Sequence, residues 1–350
     1  MWPSVTNRAT LRSSPMPDFA RTRLLLEKGL AENHWTGFSL AISFRKTLYS
    51  FVGGNVPSAE ASVCWLSAGK PVTSVGILRL LEQKPELWHL PMEATLPDLR
   101  GSYAGGLDLL SILTHRTGLR HADLDLTAAK ATLFEILAGS TPDKCQLRAG
   151  QPAYDPRGGW WILHQWLERN AGMPWQDFLS REVLHPSGAG GMFFASSDRE
   201  ADVPMDEWKG GRWHPAPAVQ GQGNLCGSAS ALARFYLTLL SGEILQPDSL
   251  IKFSRRWREG EKDATFGHTL DFGLGIILDS NRYGASTVPY GFGTRSSDRT
   301  FGHGGARSSV AFADPETNLA AAIWLNGQVP ENKHQPRMRG ILDLMREELT

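Results

Sequence analysis

The chain has 350 residues, 41% of them hydrophobic and 21% charged, and 36 basic residues balance 36 acidic ones to a formal net charge of zero. This is the composition of an ordinary globular protein, long enough for one bilobal domain or two packed subdomains. A neutral chain has no long-range field that would hold nucleic acid or an anionic membrane, so neither is expected as a partner.

The first segments of the chain predict an arm, a helix, a hairpin and a second helix. Residues 1–18 are polar and contain prolines, which is typical of an arm. Residues 19–33 carry apolar side chains every three to four positions and predict a helix. The runs GFSLAISF and TLYSFVGG predict two strands that turn at Arg45 and Lys46, and WLSAGKPVTSVGILRLLEQ predicts a helix that begins with a serine.

The middle and the end of the chain differ in character. Residues 85–210 are mostly helix and loop, with apolar segments separated by Gly- and Pro-rich turns. NLCGSASALARFYLTLLSG predicts another helix, capped by Ser228 or Ser230. FGLGIIL, SSVAFAD and LAAAIWLNG then predict strands, the last two joined by a turn at 315–318, and RMRGILDLMREEL predicts a terminal helix.

Strands at both ends of the sequence, with helices between them, predict an α+β protein. We expect an antiparallel sheet flanked by helices, with a mainly helical lobe inserted into it. The sheet lobe would comprise residues 19–84 and 211–350, the helical lobe residues 85–210, and a site would lie in the groove between them. Residues 255–300 contain a Gly/Ser-rich run that is a candidate lid over this groove.

The three cysteines, Cys64, Cys145 and Cys226, are far apart and form no CxxC pair. This spacing indicates neither a disulfide framework nor a zinc site, and the ten histidines show no metal-ligand spacing. We therefore expect no cofactor and no metal. Free thiols and the absence of a signal-like or membrane-spanning apolar run favour a cytoplasmic location, provided that no leader was removed.

Residues 67–70, Ser-Ala-Gly-Lys, form an SxxK pattern. Positions i and i+3 share a helix face, so the Lys70 amine can reach the Ser67 hydroxyl and, with its pKa lowered by burial and nearby cations, activate it. The start of a helix also offers backbone N–H groups to an oxyanion. The pattern alone is weak, because it recurs at 43–46 and 249–252, and a helix cap beside a solvated lysine is the alternative.

Further segments resemble one family. LLSILTHRTGLRH, GNLCGSASALARFYLTLL and FGHGGARSSVAFADPETNLAAAIWLNG resemble, in the same order, segments of class C β-lactamases and related penicillin-binding-protein-like serine hydrolases, above all their esterase and transacylase branch. The likeness covers roughly residues 20–345. It implies a β-lactamase/transpeptidase-like fold with Ser67 as the nucleophile and Lys70 as its activator. No GxSxG is present, which disfavours the α/β-hydrolase route.

The resemblance places Tyr154 at the tyrosine of the family's Tyr-x-Asn motif. Its phenolic oxygen would accept the serine proton or pass it to the leaving group, with Lys70 stabilising a phenolate-like form. A half-buried structural tyrosine is the alternative. Pro156 stands where the family has an asparagine that helps to hold the acyl side chain of β-lactams. This departure argues against β-lactam or cell-wall amide recognition more than against catalysis.

His303, Gly304 and Gly305 correspond to the family's third motif, which is Lys-Thr-Gly in β-lactamases. A histidine that is mostly neutral at pH 7 indicates a substrate without the carboxylate that lysine binds, or a different cation such as Arg307. A structural histidine at a strand end and a solvated surface arginine are the alternatives. By resemblance, the glycines allow the backbone to approach the substrate, and the Ala306 N–H completes an oxyanion hole with that of Ser67.

Other conspicuous side chains are expected to be structural. By resemblance, His115 supports the groove through hydrogen bonds at a loop. Trp65, Trp160 and Trp161 are expected mainly in the core, although one of them can form a pocket wall.

These features predict serine-dependent acyl transfer through an acyl-Ser67 intermediate, in a small-molecule esterase or transacylase, potentially of specialised metabolite biosynthesis. The donor would be an ester, thioester or activated amide, and the acceptor water, an amine or an alcohol. A β-lactamase or D-amino-acid/cell-wall peptidase is one alternative, and a catalytically inactive ligand-binding relative is another. The identities of donor and acceptor and the oligomeric state stay open.

Overall fold

The structure is a computed structural model that describes residues 16–217, 223–284 and 291–349. Most of the predicted arm, residues 1–15, lies outside the described residues. The α-helices are α1 (Ala20–Ala31), α2 (Lys70–Gln83), α3 (Leu109–Leu113), α4 (Lys130–Ala138), α5 (Gly158–Ala171), α6 (Trp175–Leu179), α7 (Ala229–Ser241), α8 (Pro247–Ser254) and α9 (Glu331–Glu347). In the part of the chain that the structure describes, no helix is long and apolar enough to cross a membrane.

The strands form three sheets, the largest of which unites the two ends of the chain. Eight strands in the order β2-β1-β13-β12-β11-β10-β9-β8 pair antiparallel, whereas β3-β7-β4 and β5-β6 form small separate sheets. This confirms the predicted α+β class and the sheet built from distant segments. The strands are β1 (Gly37–Phe44), β2 (Thr47–Gly54), β3 (Val63–Cys64), β4 (Phe193–Phe194), β5 (Asp206–Lys209), β6 (Arg212–Pro215), β7 (Leu225–Gly227), β8 (Arg258–Lys262), β9 (Thr269–Phe272), β10 (Ile277–Leu278), β11 (Phe301–Gly305), β12 (Ser309–Asp314) and β13 (Leu319–Asn326).

Strand β13 lies inside the large sheet and is buried on both faces. Because side chains alternate across a strand, Ala320, Ala322 and Trp324 face the core shared with α7. Their neighbours on the opposite face, such as Ile323 and Leu325, join a second core to which α9 contributes. The uninterrupted apolar run LAAAIWL therefore reflects a strand covered by helices on both sides.

The turns follow the predicted positions. Arg45 and Lys46 join β1 to β2 with φ values of 48° and 67°, the positive pair that a two-residue type I′ hairpin requires. Helix α7 is capped by Ser228, whose hydroxyl accepts a hydrogen bond from the Ala231 N–H at 3.2 Å. The choice between Ser228 and Ser230 is thereby resolved.

One predicted strand is interrupted, and the short helix that it contacts ends early. FGLGIIL does not form one strand, because β9 ends at Phe272 and β10 begins at Ile277, with Gly275 between them at φ 70°. The Gly275 N–H donates to the carbonyl of Leu113, so this turn contacts the end of α3 instead of continuing the ladder. Helix α3 itself covers only Leu109–Leu113, because the backbone of His115 has a positive φ.

The hairpin β5-β6 was not predicted. It spans the sequence position at which the helical lobe was expected to end, residue 210. Its backbone follows the end of β13: the Trp208 N–H donates to the Gln328 carbonyl, and the Asp206 N–H to the Asn326 side chain. The hairpin therefore packs with the large sheet, and the division into lobes stays a prediction.

Candidate active site

Ser67 lies in a 3-10 turn, Leu66–Gly69, between β3 and α2. The turn is held from the large sheet, since the Ser309 hydroxyl donates to the Trp65 carbonyl at 2.9 Å. Leu66 has φ 50°, a left-handed conformation that residues with side chains rarely adopt. A Cβ on Gly305 of β11 would lie 2.4 Å from the same Trp65 carbonyl, so only glycine permits this close approach.

The Ser67 hydroxyl lies between an amine and a phenol. The Lys70 Nζ donates to Ser67 Oγ at 3.0 Å, as the i, i+3 spacing predicts. From 87 residues further along the chain, Tyr154 Oη donates to the same oxygen at 2.8 Å. The structure thus brings together the three side chains expected to be catalytic, although their catalytic roles stay proposals.

The surroundings of Lys70 favour its neutral form. Burial of the amine is the main cause that lowers the pKa of Lys70; the charge of Asp155 opposes it and the Arg157 guanidinium adds to it, and the net pKa is about 7. Within the described chain Lys70 forms no ion pair, and its amine lies 5.5 Å from the centre of the Trp160 ring. The neutral amine is therefore accessible near pH 7 and can accept a proton.

The pKa of Tyr154 is shifted in the opposite direction from that of Lys70, which also favours the neutral side chain. Burial raises the pKa of the Tyr154 phenol well above its ordinary value, and the hydrogen bond to Ser67 only partly offsets this. The phenolate-like form expected from the resemblance is therefore disfavoured, because a buried phenolate would lose its hydration. Lys70 is the better base and Tyr154 the better proton donor.

A loop distant in sequence fixes Tyr154. The Asp263 carboxylate accepts a hydrogen bond from the Tyr154 N–H at 3.1 Å, and the Thr265 hydroxyl donates to the Tyr154 carbonyl at 2.8 Å. The Phe266 ring stacks on the phenol, with the ring centres 4.9 Å apart. These residues were missed by the sequence analysis, and nothing in the local pattern of 263–266 indicates their partner.

Asp155 anchors the segment that carries Tyr154. Burial disfavours its ionised form, but hydrogen bonds from His121 and from backbone N–H groups at the start of α5 outweigh this and lower the pKa of Asp155. Its carboxylate accepts from Gly158 at 3.0 Å and from Gly159 at 2.9 Å. An Asp shortly before a helical run is a known capping signal, which could have identified it.

His115 has a structural position, in line with the expected loop-supporting role. Its Nδ1 accepts from the Asp155 N–H at 3.2 Å, and its carbonyl accepts from the Ala153 N–H at 3.0 Å. Burial first, and then the positive charge of Arg258, lower the pKa of His115 well below its ordinary value. The neutral ring therefore holds the backbone on both sides of Tyr154.

Ser67 and Lys70 line a cavity of about 540 Å³ with a strongly aromatic wall. His164 stacks on Trp175 with ring centres 3.7 Å apart, and Phe194 meets Trp175 edge to face at 4.6 Å. Trp65 is buried in the core as expected, whereas both Trp160 and Trp161 line the cavity. The wall is suited to a flat or apolar group.

On the β11 side of the site, some residues line the cavity and others are buried in the strand. Ala306 and Arg307 line the cavity, and Arg307 donates to the side chain of Gln328 at 3.1 Å. His303, Gly304 and Gly305 are buried in β11 and do not belong to the wall. Direct contact between substrate and those three residues stays a prediction that the cavity wall does not support.

His303 is enclosed beside Tyr154. The two ring centres are 5.6 Å apart, and His303 Nδ1 lies 2.7 Å from the Gly304 carbonyl. Burial lowers the pKa of His303 to about 3, so the ring is neutral. It supplies no cation where β-lactamases carry lysine.

The cavity wall, as far as the structure describes it, has basic side chains but no acidic ones. The described lining residues include Lys70, Arg157 and Arg307 but no aspartate or glutamate. The described part of the chain also holds no cluster of His, Cys, Asp and Glu suited to a metal ion.

The sequence predicts residues 255–300 as a candidate lid over the groove. Its described residues form β8, β9, β10 and their connections, and none of them lines the cavity. Residues 285–290 lie outside the described residues.

Comparison with known proteins agrees with this architecture. The family model described as Beta-lactamase matches residues 24–345. No curated protein is significantly similar in sequence. A penicillin-binding protein homologue from Caulobacter crescentus superposes with a TM-score of 0.75 at 19% identity, covering 96% of this chain and 99% of the other.

Two further structures are similar. EstCE1, described as a hydrolase with promiscuous acyltransferase activity, gives a TM-score of 0.74 at 17% identity, covering 92% of this chain and 97% of the other. The LovD6 mutant of simvastatin synthase from Aspergillus terreus gives 0.70 at 16% identity, covering 94% of each chain. At such identities, these likenesses establish the fold.

Proposed function

The chain belongs to the beta-lactamase family, and on that premise we propose that it is a small-molecule esterase or transacylase that works through an acyl-Ser67 intermediate. The observation that carries the proposal is the Ser67 hydroxyl, held 3.0 Å from the Lys70 amine and 2.8 Å from the Tyr154 phenol at the edge of an aromatic cavity. The nucleophile, a neutral base and a proton donor are thus in contact before any substrate binds.

The proposed reaction begins with attack of Ser67 Oγ on the carbonyl carbon of the donor, while the neutral Lys70 amine takes the hydroxyl proton. The carbonyl oxygen becomes an oxyanion, for which the N–H groups of Ser67 and Ala306 are the proposed donors. When the bond to the leaving group breaks, the departing oxygen takes the Tyr154 proton, and the Lys70 ammonium replaces it. Water, an alcohol or an amine then attacks the acyl-Ser67 by the reverse path.

Two residues that differ from those of β-lactamases support an ester or thioester as the acyl donor. Burial keeps His303 neutral, so it cannot take the place of a lysine that binds a carboxylate. Pro156 lines the cavity where the family has an asparagine, and proline offers no side-chain amide. These features disfavour the β-lactamase and cell-wall peptidase alternative, and the open cavity beside Ser67 disfavours the inactive one.

The proposal is tested by mass measurement after mixing the protein with p-nitrophenyl acetate or butyrate and quenching with acid. We expect one acetyl or butyryl group per chain, formed together with a burst of p-nitrophenol. Adding an alcohol or an amine separates the two reactions, since a transacylase yields the new ester or amide and an esterase yields mostly the free acid. Absence of an adduct with both esters and with a fluorophosphonate would refute the acyl-enzyme.

We further expect the aromatic wall to favour aromatic acyl groups. Trp175→Leu removes the face on which His164 stacks, so kcat/KM for p-nitrophenyl benzoate should fall by roughly 10-fold relative to acetate. The matched control is Trp208→Leu, which disrupts another aromatic pair, with Trp213, outside the cavity wall. Its benzoate-to-acetate ratio should equal that of the wild type. An unchanged ratio in Trp175→Leu would argue against this use of the wall.

A further inference from the structure

Two cysteines that are far apart in sequence face each other on adjacent strands. Cys64 ends β3, three residues before Ser67, and Cys226 lies in the middle of β7. The antiparallel pairing of these strands sets Cys64 directly opposite Cys226. The sequence spacing indicated no disulfide, because the pairing of β3 with β7 is invisible in the local pattern.

The position of this pair in the ladder is favourable for a bond between the thiols. The next pair along the strands is hydrogen-bonded, since the Trp65 N–H donates to the Leu225 carbonyl at 2.9 Å. Hydrogen-bonded and non-hydrogen-bonded pairs alternate, so Cys64 and Cys226 occupy a non-hydrogen-bonded pair, in which Cα atoms are about 4.5 Å apart. That separation lies within the range of disulfides, roughly 4.4–6.8 Å.

The two thiols are also in contact and differ in acidity. The neighbouring Cys226 thiol lowers the pKa of Cys64, while Cys64 raises that of Cys226. Burial opposes the shift at Cys64, and the charge of Lys70 adds to it when that amine is protonated. Cys64 is therefore the more acidic thiol of the two, with its partner beside it as the resolving thiol.

We propose that Cys64 and Cys226 are a redox site. An oxidant of the peroxide class would convert their two thiols into a reversible disulfide bond. The Cys64 thiolate attacks one peroxide oxygen, the O–O bond breaks, and the leaving hydroxide takes up the proton that the Cys64 thiol released, so that a sulfenic acid and water form. The Cys226 sulfur then attacks the Cys64 sulfur and displaces a second water. In total two thiols and one hydrogen peroxide give one disulfide and two waters, and the two electrons from the sulfurs reduce the peroxide.

A small oxidant can approach the two thiols from the cavity, and the disulfide would have a defined effect on the fold. Both thiols are buried, but their neighbours Leu66 and Leu225 line the cavity. The bond would fix the strand that leads to the nucleophile to the adjacent strand, whose Leu225 also lines the cavity. Because it closes a long loop of chain, it would restrict the unfolded state and stabilise the fold.

The test uses Cys145→Ser, since Cys145 is partly exposed and its thiol donates only to the Arg120 carbonyl among the described residues. After treatment with hydrogen peroxide, we expect an intact mass lower by two hydrogens and a melting temperature higher by about 4 °C. Dithiothreitol should reverse both changes. Adding Cys226→Ser should abolish both, and Cys64 should then collect oxygen atoms.

The result that would overturn the proposal is a peroxide-treated Cys145→Ser protein in which denaturant exposes two alkylatable thiols, or in which Cys64 carries oxygen while Cys226 stays reduced. The measurement needs no substrate. Repeating the measurement on Ser67→Ala separates the redox proposal from the acyl-enzyme proposal, since disulfide formation does not require Ser67.

Discussion

Replacing Ser67 with alanine is expected to lower kcat/KM for p-nitrophenyl acetate by at least roughly 10³-fold and to abolish the acyl adduct. The change removes the only oxygen that receives hydrogen bonds from both Lys70 and Tyr154 in the described part of the chain. The turn itself should persist, because its main contact to the large sheet goes through the Trp65 carbonyl and Ser309. Intact mass and steady-state rates, measured on the same samples, check the result.

The chain supplies its own control for this variant. Ser249 and Lys252 repeat the SxxK spacing on α8, with Lys252 exposed to solvent. Ser249→Ala should therefore react like the wild type. An adduct that survives in Ser67→Ala, or one that disappears in Ser249→Ala, would assign the nucleophile to another residue, which peptide mapping of the adduct would identify.

Replacing Lys70 with methionine is expected to lower kcat/KM by roughly 10³-fold and to change its pH dependence. In the wild type, protonation of Lys70 removes the base, so kcat/KM should fall as the pH drops below about 7 and reach a plateau above it. Methionine keeps a side chain of similar length without an amine, so the residual rate should lack this rise near pH 7. Rates of p-nitrophenyl acetate hydrolysis between pH 5 and pH 9 measure both effects.

Tyr154→Phe is the matched comparison for Lys70→Met. It removes the phenol, whose hydrogen bond to Ser67 is 2.8 Å long, but leaves the amine in place. We assign the base to Lys70, so this variant should be slower and still show the rise near pH 7. If the rise disappeared in Tyr154→Phe and persisted in Lys70→Met, the assignment of the base would be wrong.

The sequence predicted most reliably what depends on local periodicity. β-rich apolar runs and turn chemistry located β1, β2, β12 and β13, and the i, i+3 spacing was enough to place the Lys70 amine beside Ser67. The FGLGIIL segment was overestimated as a single strand, since the Gly275 N–H donates to the Leu113 carbonyl instead of continuing the ladder.

Long-range contacts account for what was missed at the site. Tyr154 was assigned only through the family motif, and its supports at Asp263 and Phe266 come from a loop more than one hundred residues away. The expected phenolate and the expected substrate contact of His303 both depended on solvent exposure, which is a property of the folded protein. Burial disfavours the phenolate of Tyr154, and His303 is not among the residues that line the cavity, so both expectations stay predictions without support from the structure.

Because β1 pairs with β13, the large sheet can be completed only after the end of the chain has been synthesised. The apolar side chains of β1 pair with β2 at once, but their other edge has no partner until β13 has left the ribosome. At ordinary elongation speeds this interval is on the order of tens of seconds, during which an apolar strand edge stays open. The nascent chain is therefore a natural client for chaperones, and truncation before β13 should lead to aggregation instead of a smaller folded protein.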